Sequence, residues 1–130
     1  MDINDTVAND GLNALETTIG ASPSLLIFSG AKPANCAAAD PAGLLATLTL
    51  PADWLNNAAA RAKTLLGTWS VAASGGAGAT PASFRIKVGA TCYAQGTCGI
   101  GSGELSFDGT ITAGQLVTVT AFTITDGNPA

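Results

Sequence analysis

Residues 115–125 read QLVTVTAFTIT, and the way this run folds decides the class of the chain. Val117, Val119, Phe122 and Ile124 interleave with Thr118, Thr120, Thr123 and Thr125. β-Branched and aromatic side chains suit a pleated, half-buried surface, so the run is predicted to be a strand. Its alternation changes phase partway. Val117 and Val119 share one face, while Phe122 and Ile124 take the other unless a bulge near Thr120 and Ala121 resets the register. Apolar groups on both faces predict a central strand covered from both sides.

The rest of the chain supplies partners for such a strand. Residues 4–19 predict a helix, with Asn4 or Asp5 as its cap, Val7, Leu12, Leu15 and Ile19 at near-helical intervals, and Gly20 as its stop. Its apolar stripe is narrow and Gly11 weakens it by about 1 kcal/mol relative to Ala, so it has to dock on a sheet or on a neighbouring subunit. SLLIFS at 24–29, bounded by Pro23 and Gly30, predicts a buried strand. GAKPANCAAADPAG at 30–43 predicts a loop of roughly a dozen residues, a length typical of interaction surfaces. LLATLTL at 44–50 predicts a strand whose apolar face is Leu44, Ala46, Leu48 and Leu50. Trp54 is expected to fold back over the sheet, with a turn or short helical piece before a strand at 64–72. Residues 74–81 form a flexible connection. At 83–88, Phe84, Ile86 and Val88 share one face and Arg85 and Lys87 the other, the pattern of a half-exposed strand. Short strands at 89–93 and 95–100 flank a predicted turn, and Leu105 and Phe107 make another strand. Asp108-Gly109 and Ala113-Gly114 are turns, and 126–130 is a polar tail. Roughly seven or eight short strands with turns about every 8–12 residues predict a mainly β chain: an antiparallel β-sandwich or jelly-roll-like domain over 21–130, preceded by a short helical arm over 1–20.

Composition narrows the functional classes. Charged residues are 11 % of the chain, against about 25 % in an ordinary soluble domain. Weakly charged surfaces on that scale are tolerable when copies or neighbours cover them, which predicts a homo-oligomer or a lattice protein. Nine acids against five bases give a net charge of −4, with no basic run, so nucleic acid is not an expected partner. No apolar run approaches the length of a membrane span, and the acidic start MDINDTVAND lacks the pattern of a signal peptide. Synthesis and use in the cytoplasm are expected.

There is no histidine, which removes imidazole bases, triads and the common zinc geometries. Glu104 and Asp108 lie about 13 Å apart along a strand, too far for a glycosidase pair, and Asp108 is explained by its turn with Gly109. GIGSG at 99–103 lacks the Lys-Ser/Thr pair of a phosphate loop. Catalytic, cofactor and metal residues are therefore all expected to be absent. The three cysteines, Cys36, Cys92 and Cys98, are an odd count. Cys92 and Cys98 can face each other if 94–96 is a hairpin turn; the expectation for a cytoplasmic chain is that all three stay reduced as small buried hydrophobes.

Residues 15–55, LETTIGASPSLLIFSGAKPANCAAADPAGLLATLTLPADWL, together with GTWS at 67–70, FRI at 84–86 and TAGQLVTVTAFTITDGN at 112–128, resemble a family of small tailed-bacteriophage virion proteins. ETTIGASP, SGAKPANCA and the terminal strand carry most of the likeness; 56–66 and 89–106 match less well, and Cys98 departs from the pattern. The resemblance implies a structural component of the virion with no catalytic residue or cofactor. A minor capsid or decoration (cement) protein on the outer capsid surface is the expectation, with the major capsid protein, other virion proteins and further copies of the chain as partners. A tail or tail-fibre component is the alternative, ahead of a host-glycan-binding module. The candidate partner contacts are Lys32, Pro33 and Asn35 in the long loop, with Trp54, Arg85 and Lys87.

Overall fold

A computed structural model describes residues 2–126; the tail expected at 126–130 lies outside the described residues beyond Asp126. The fold is mainly β, a sandwich-like domain with a single N-terminal helix among the described residues, as the strand spacing predicts. The helix α1 spans Asp5–Ile19. The strands are β1 Ser24–Phe28, β2 Leu44–Thr49, β3 Ala62–Thr64, β4 Trp69–Ala72, β5 Ser83–Val88, β6 Thr91–Ile100, β7 Leu105–Phe107, β8 Leu116–Val119 and β9 Thr123–Thr125.

The principal sheet has the order β2-β1-β5-β6-β7. Its first four strands are antiparallel, and β7 runs parallel to β6. Two ribbons, β4-β8 and β3-β9, curl around it. The end of β4 leans on the free edge of β2, where the Ser74 and Gly75 amides donate to the Leu45 carbonyl at 2.9 and 3.2 Å. Aromatic rings fill the space enclosed. Trp54 lies 6.1 Å from Trp69, Trp69 lies 5.4 Å from Phe122, and Phe84 meets Phe122 edge-on at 5.8 Å. Tilted and edge-on pairs at these spacings are the preferred aromatic geometries.

The run 115–125 is not the one central strand its composition predicts. It breaks at 120–122 into β8 and β9, which serve different ribbons, and Phe122 at the break drops into the core. The phase change in the apolar pattern marks this break rather than a bulge. β5 takes the middle of the principal sheet instead.

Three further expectations are corrected. Residues 91–100 form one long strand, and the turn lies before it at Gly89 and Ala90. Gly96 reads as a turn residue, but it lies opposite Phe84, and a Cβ there would meet the Phe84 ring at 2.5 Å. Its lack of a side chain makes room for a core aromatic. In β2, Leu45 is buried and Leu44 is 41 % exposed, because the register with β1 shifts where Phe28 meets Leu44. The strand predicted over 64–72 is divided between β3 and β4, preceded by a tight turn in which Ala60 and Arg61 both have positive φ, 48° and 64°. Side chains with a Cβ adopt that conformation only under constraint. Here the Arg61 amide donates to Asn9 Oδ1 at 2.9 Å, and its guanidinium reaches the Ile3 carbonyl, Asp5 and Asp126.

The helix is docked along its length. Asn4 caps it, accepting from the Val7 amide at 2.9 Å, and the Gly20 amide closes the other end on the Glu16 carbonyl at 2.9 Å. Ala8, Leu12 and Ile19 are its buried residues, whereas Val7 is 56 % exposed and lies off the stripe. Beside that stripe, Asn9, Asn13 and Glu16 accept from the amides of Arg61, Ala58 and Leu55. These side chains occupy one face because they are three and four positions apart. They satisfy the backbone of a segment that has little ladder of its own.

Candidate functional site

The alternating pattern of β5 places Arg85 and Lys87 opposite Phe84 and Ile86, and a strand with that pattern ordinarily wets its charged face. Here the loop 30–43 lies across it. Arg85 is 2 % exposed, and its guanidinium donates to the Ala38 carbonyl, Asp40 Oδ1, the Asn35 carbonyl and Gln95 Oε1 at 2.9, 2.9, 3.1 and 3.1 Å. Its Nε has no hydrogen-bond partner among the described residues. Lys87 Nζ holds the other oxygen of Asp40 at 2.8 Å. The Lys87 hydrogen bond, joined by that of Arg85 and opposed by burial, keeps the Asp40 carboxyl below its ordinary pKa.

The same loop is fastened at further points. Cys36 is bonded to Cys92 on β6, with Cα atoms 5.3 Å apart. Gln95 Nε2 donates to the Pro33 carbonyl at 2.8 Å, and Ser83 Oγ to the Gly30 carbonyl at 2.7 Å. Asn35 Oδ1 accepts from the Ala37 and Ala38 amides at 3.0 and 3.1 Å, folding the loop tip into a turn of its own. Asp40 and Cys36 are held by neighbouring anchors, since Lys87 and Cys92 are cross-strand partners in the β5–β6 pair. The outcome is a surface of Ala31, Lys32, Ala34, Ala37, Ala38 and Ala39, all exposed, on a backbone fixed from beneath.

The residues predicted as partner contacts thus separate into layers. Lys32 and Asn35 are exposed on the loop and Pro33 is half-buried there, so these three are brought together. Arg85 and Lys87 are brought to the same place, but from below. Arg85 is buried and cannot touch a partner, and Lys87 is largely taken up by Asp40. Trp54 is excluded altogether: it is 0 % exposed, and its indole N–H donates to the Gly20 carbonyl at 3.1 Å. Asp40, Gln95 and the Cys36–Cys92 bond were not predicted. A loop acid neutralising a strand cation many positions away leaves no local trace. With three cysteines, spacing alone does not select a pair; the structure replaces both the reduced set and the Cys92–Cys98 alternative with Cys36–Cys92.

A second charged cluster fastens the helix. Lys63 is 1 % exposed, and its ammonium lies 2.8 Å from Glu16 Oε2 and 2.9 Å from Asn13 Oδ1. Burial pushes the Glu16 carboxyl up, but bonds from Lys63 and the Leu55 amide outweigh it and hold the pKa below the ordinary value. Asp53, hydrogen-bonded to Glu16, is pushed the other way by that bond and by the charge of Glu16. This cluster borders an open hollow of about 340 Å³ lined also by Thr17, Ala52 and Asn57. Two of the three Lys63 ammonium donors are taken by side chains of α1, which ties the helix to the sheet.

Cys98 is unpaired, and burial, with the Glu104 charge adding to it, pushes its thiol pKa up to about 12. It is held as a thiol at neutral pH and is a weak nucleophile. No group of three or more His, Cys, Asp or Glu side chains able to hold a metal occurs among the described residues. No helix among them is long and apolar enough to cross a membrane. Comparison with known protein families, curated proteins and solved structures finds no match to this chain.

Proposed function

We propose that the chain is a structural component of a bacteriophage particle, a minor capsid or decoration protein that binds the outer capsid surface through the loop 30–43. The observation that supports this reading is the construction of that loop. Exposed loops rich in alanine ordinarily fluctuate, and ordering them on contact opposes binding. This one is held in place by Arg85, Asp40, Gln95 and Cys36–Cys92 before any partner arrives. Its outward side chains are short and mostly uncharged. Tyr93, 44 % exposed, follows Cys92 in the chain at the irregularity of the β5–β6 pair and adds apolar area beside the anchor. A surface of this kind makes a modest contact, and repetition over a lattice multiplies its effect.

The sparse charge supports the same reading. Lys63 and Arg85 are buried and Lys87 and Arg61 are engaged in ion pairs, so four of the five cations act within the fold and partner contacts fall to short, mostly uncharged side chains. The test is quantitative mass spectrometry of purified particles from a phage that encodes the chain. A decoration protein is present in a fixed ratio to the major capsid protein. A few copies per particle assign it to the tail instead, and absence from the particle overturns the proposal.

A further inference from the structure

The loop 30–43 contributes none of its side chains to the hydrophobic core. What holds it closed is the set of polar anchors already described and one covalent bond. The bond and the anchors act on the same few residues: Cys36 stands between Asn35 and Ala38, whose carbonyls receive the Arg85 guanidinium. Arg85 is buried because the loop covers it, and its Nε is left without a partner by that covering. These anchors favour closure, but they are set against the desolvation of the guanidinium and the chain entropy that opening returns to the loop. The closed state therefore leans on the Cys36–Cys92 bond.

We infer that Cys36–Cys92 is a redox latch: the loop is closed over Arg85 when the pair is oxidised and open when it is reduced. Reduction consumes two molecules of a small thiol. Each gives up one hydrogen, the Cys36–Cys92 sulfur–sulfur bond breaks, both cysteines become thiols, and the two external sulfurs join as a new disulfide. Oxidation by a low-molecular-weight disulfide is the reverse exchange. Both cysteines are partly exposed, so small thiols reach them. Cys98, on the same strand as Cys92, does not compete for the pair, because burial beside Glu104 keeps it protonated. Reducing conditions carry the loop open, and oxidising conditions set the rigid surface that the docking reading needs. The consequence for docking rests on the particle reading above; the latch itself does not.

Hydrogen–deuterium exchange on the full chain, oxidised and then reduced with excess dithiothreitol, tests the latch. Titration of denatured aliquots first verifies that free thiols rise from the lone Cys98 to include Cys36 and Cys92. The expected result is at least about tenfold faster exchange at the Gly30, Ala37 and Ala38 amides, with β1 and β5 as protected as before and full reversal on adding oxidised glutathione. The double variant Cys36→Ser, Cys92→Ser should reproduce the open pattern without reductant. Unchanged loop exchange in fully reduced protein overturns the latch, because the polar anchors then suffice. Loss of protection throughout the chain overturns it as well, because the bond is then a staple of the whole domain. Neither result alters the expected copy number in particles, so the two proposals fail separately.

Discussion

Replacing Arg85 by methionine separates the buried clamp from the wet face that strand alternation predicts. The change removes four hydrogen bonds and leaves the Asn35 and Ala38 carbonyls and Gln95 Oε1 without their donor, while Asp40 keeps Lys87. Bonds to a charged group are individually worth about 1.5–3 kcal/mol, but methionine also abolishes the desolvation of the guanidinium and its unpartnered Nε, and the loop can lift to rehydrate its carbonyls. The losses outweigh the relief, because the acceptors remain in the protein after the donor has gone. A net destabilisation of about 3 kcal/mol follows, or about 10 °C in Tm for a domain of this size. Circular dichroism melts of the oxidised protein, parent and Arg85→Met, measure it. Were Arg85 solvated, the change would stay within about 0.5 kcal/mol, or roughly 2 °C. A shift that small refutes the account of the clamp.

The remaining predictions concern the core and the helix clip. Trp54→Ala removes a fully buried indole tilted against Trp69 and should cost about 3–5 kcal/mol in urea unfolding. Asn13→Ala leaves the Ala58 amide and the Lys63 ammonium short of an acceptor, and a loss of about 2 kcal/mol in the same assay is expected, with α1 the first element to lose exchange protection. Asp40 and Glu16 both have depressed pKa values in the folded chain, so their contribution is intact above about pH 4 and is lost as pH falls through the folded values; Tm measured against pH should drop there. Asp53 has the opposite sign: its raised pKa makes its contribution unfavourable once pH exceeds the ordinary carboxyl range, so Asp53→Asn should melt higher than the parent at neutral pH and no higher below about pH 3.

Local patterns carried much of the fold. Asn4, the spacing of Leu12 and Ile19, and Gly20 define α1 within a few residues of chain, and Pro23 and Gly30 bracket β1. Where the deciding partner is distant, the pattern misleads. Gly96 looks like a turn until Phe84 is placed over it. Leu44 and Leu45 are indistinguishable until the bulge in the β1–β2 pair sets which of them faces inward. Phe122 belongs to the core and not to a strand face, because β3 and β4 part and take β9 and β8 with them. The site follows the same rule. That Lys32, Pro33 and Asn35 lie on a long surface loop was legible from its length and composition. The inward role of Arg85 was not, because alternation reports which face a side chain takes and is blind to a loop that later covers that face.

A reconstruction of the intact particle at side-chain resolution tests the central claim most directly. The account predicts density for this fold on the outer capsid, with Lys32, Asn35 and the alanines of 31–39 in contact with a neighbouring chain and the loop closed over Arg85. Copies bound with that loop facing solvent, or no copies on the particle at all, would contradict it.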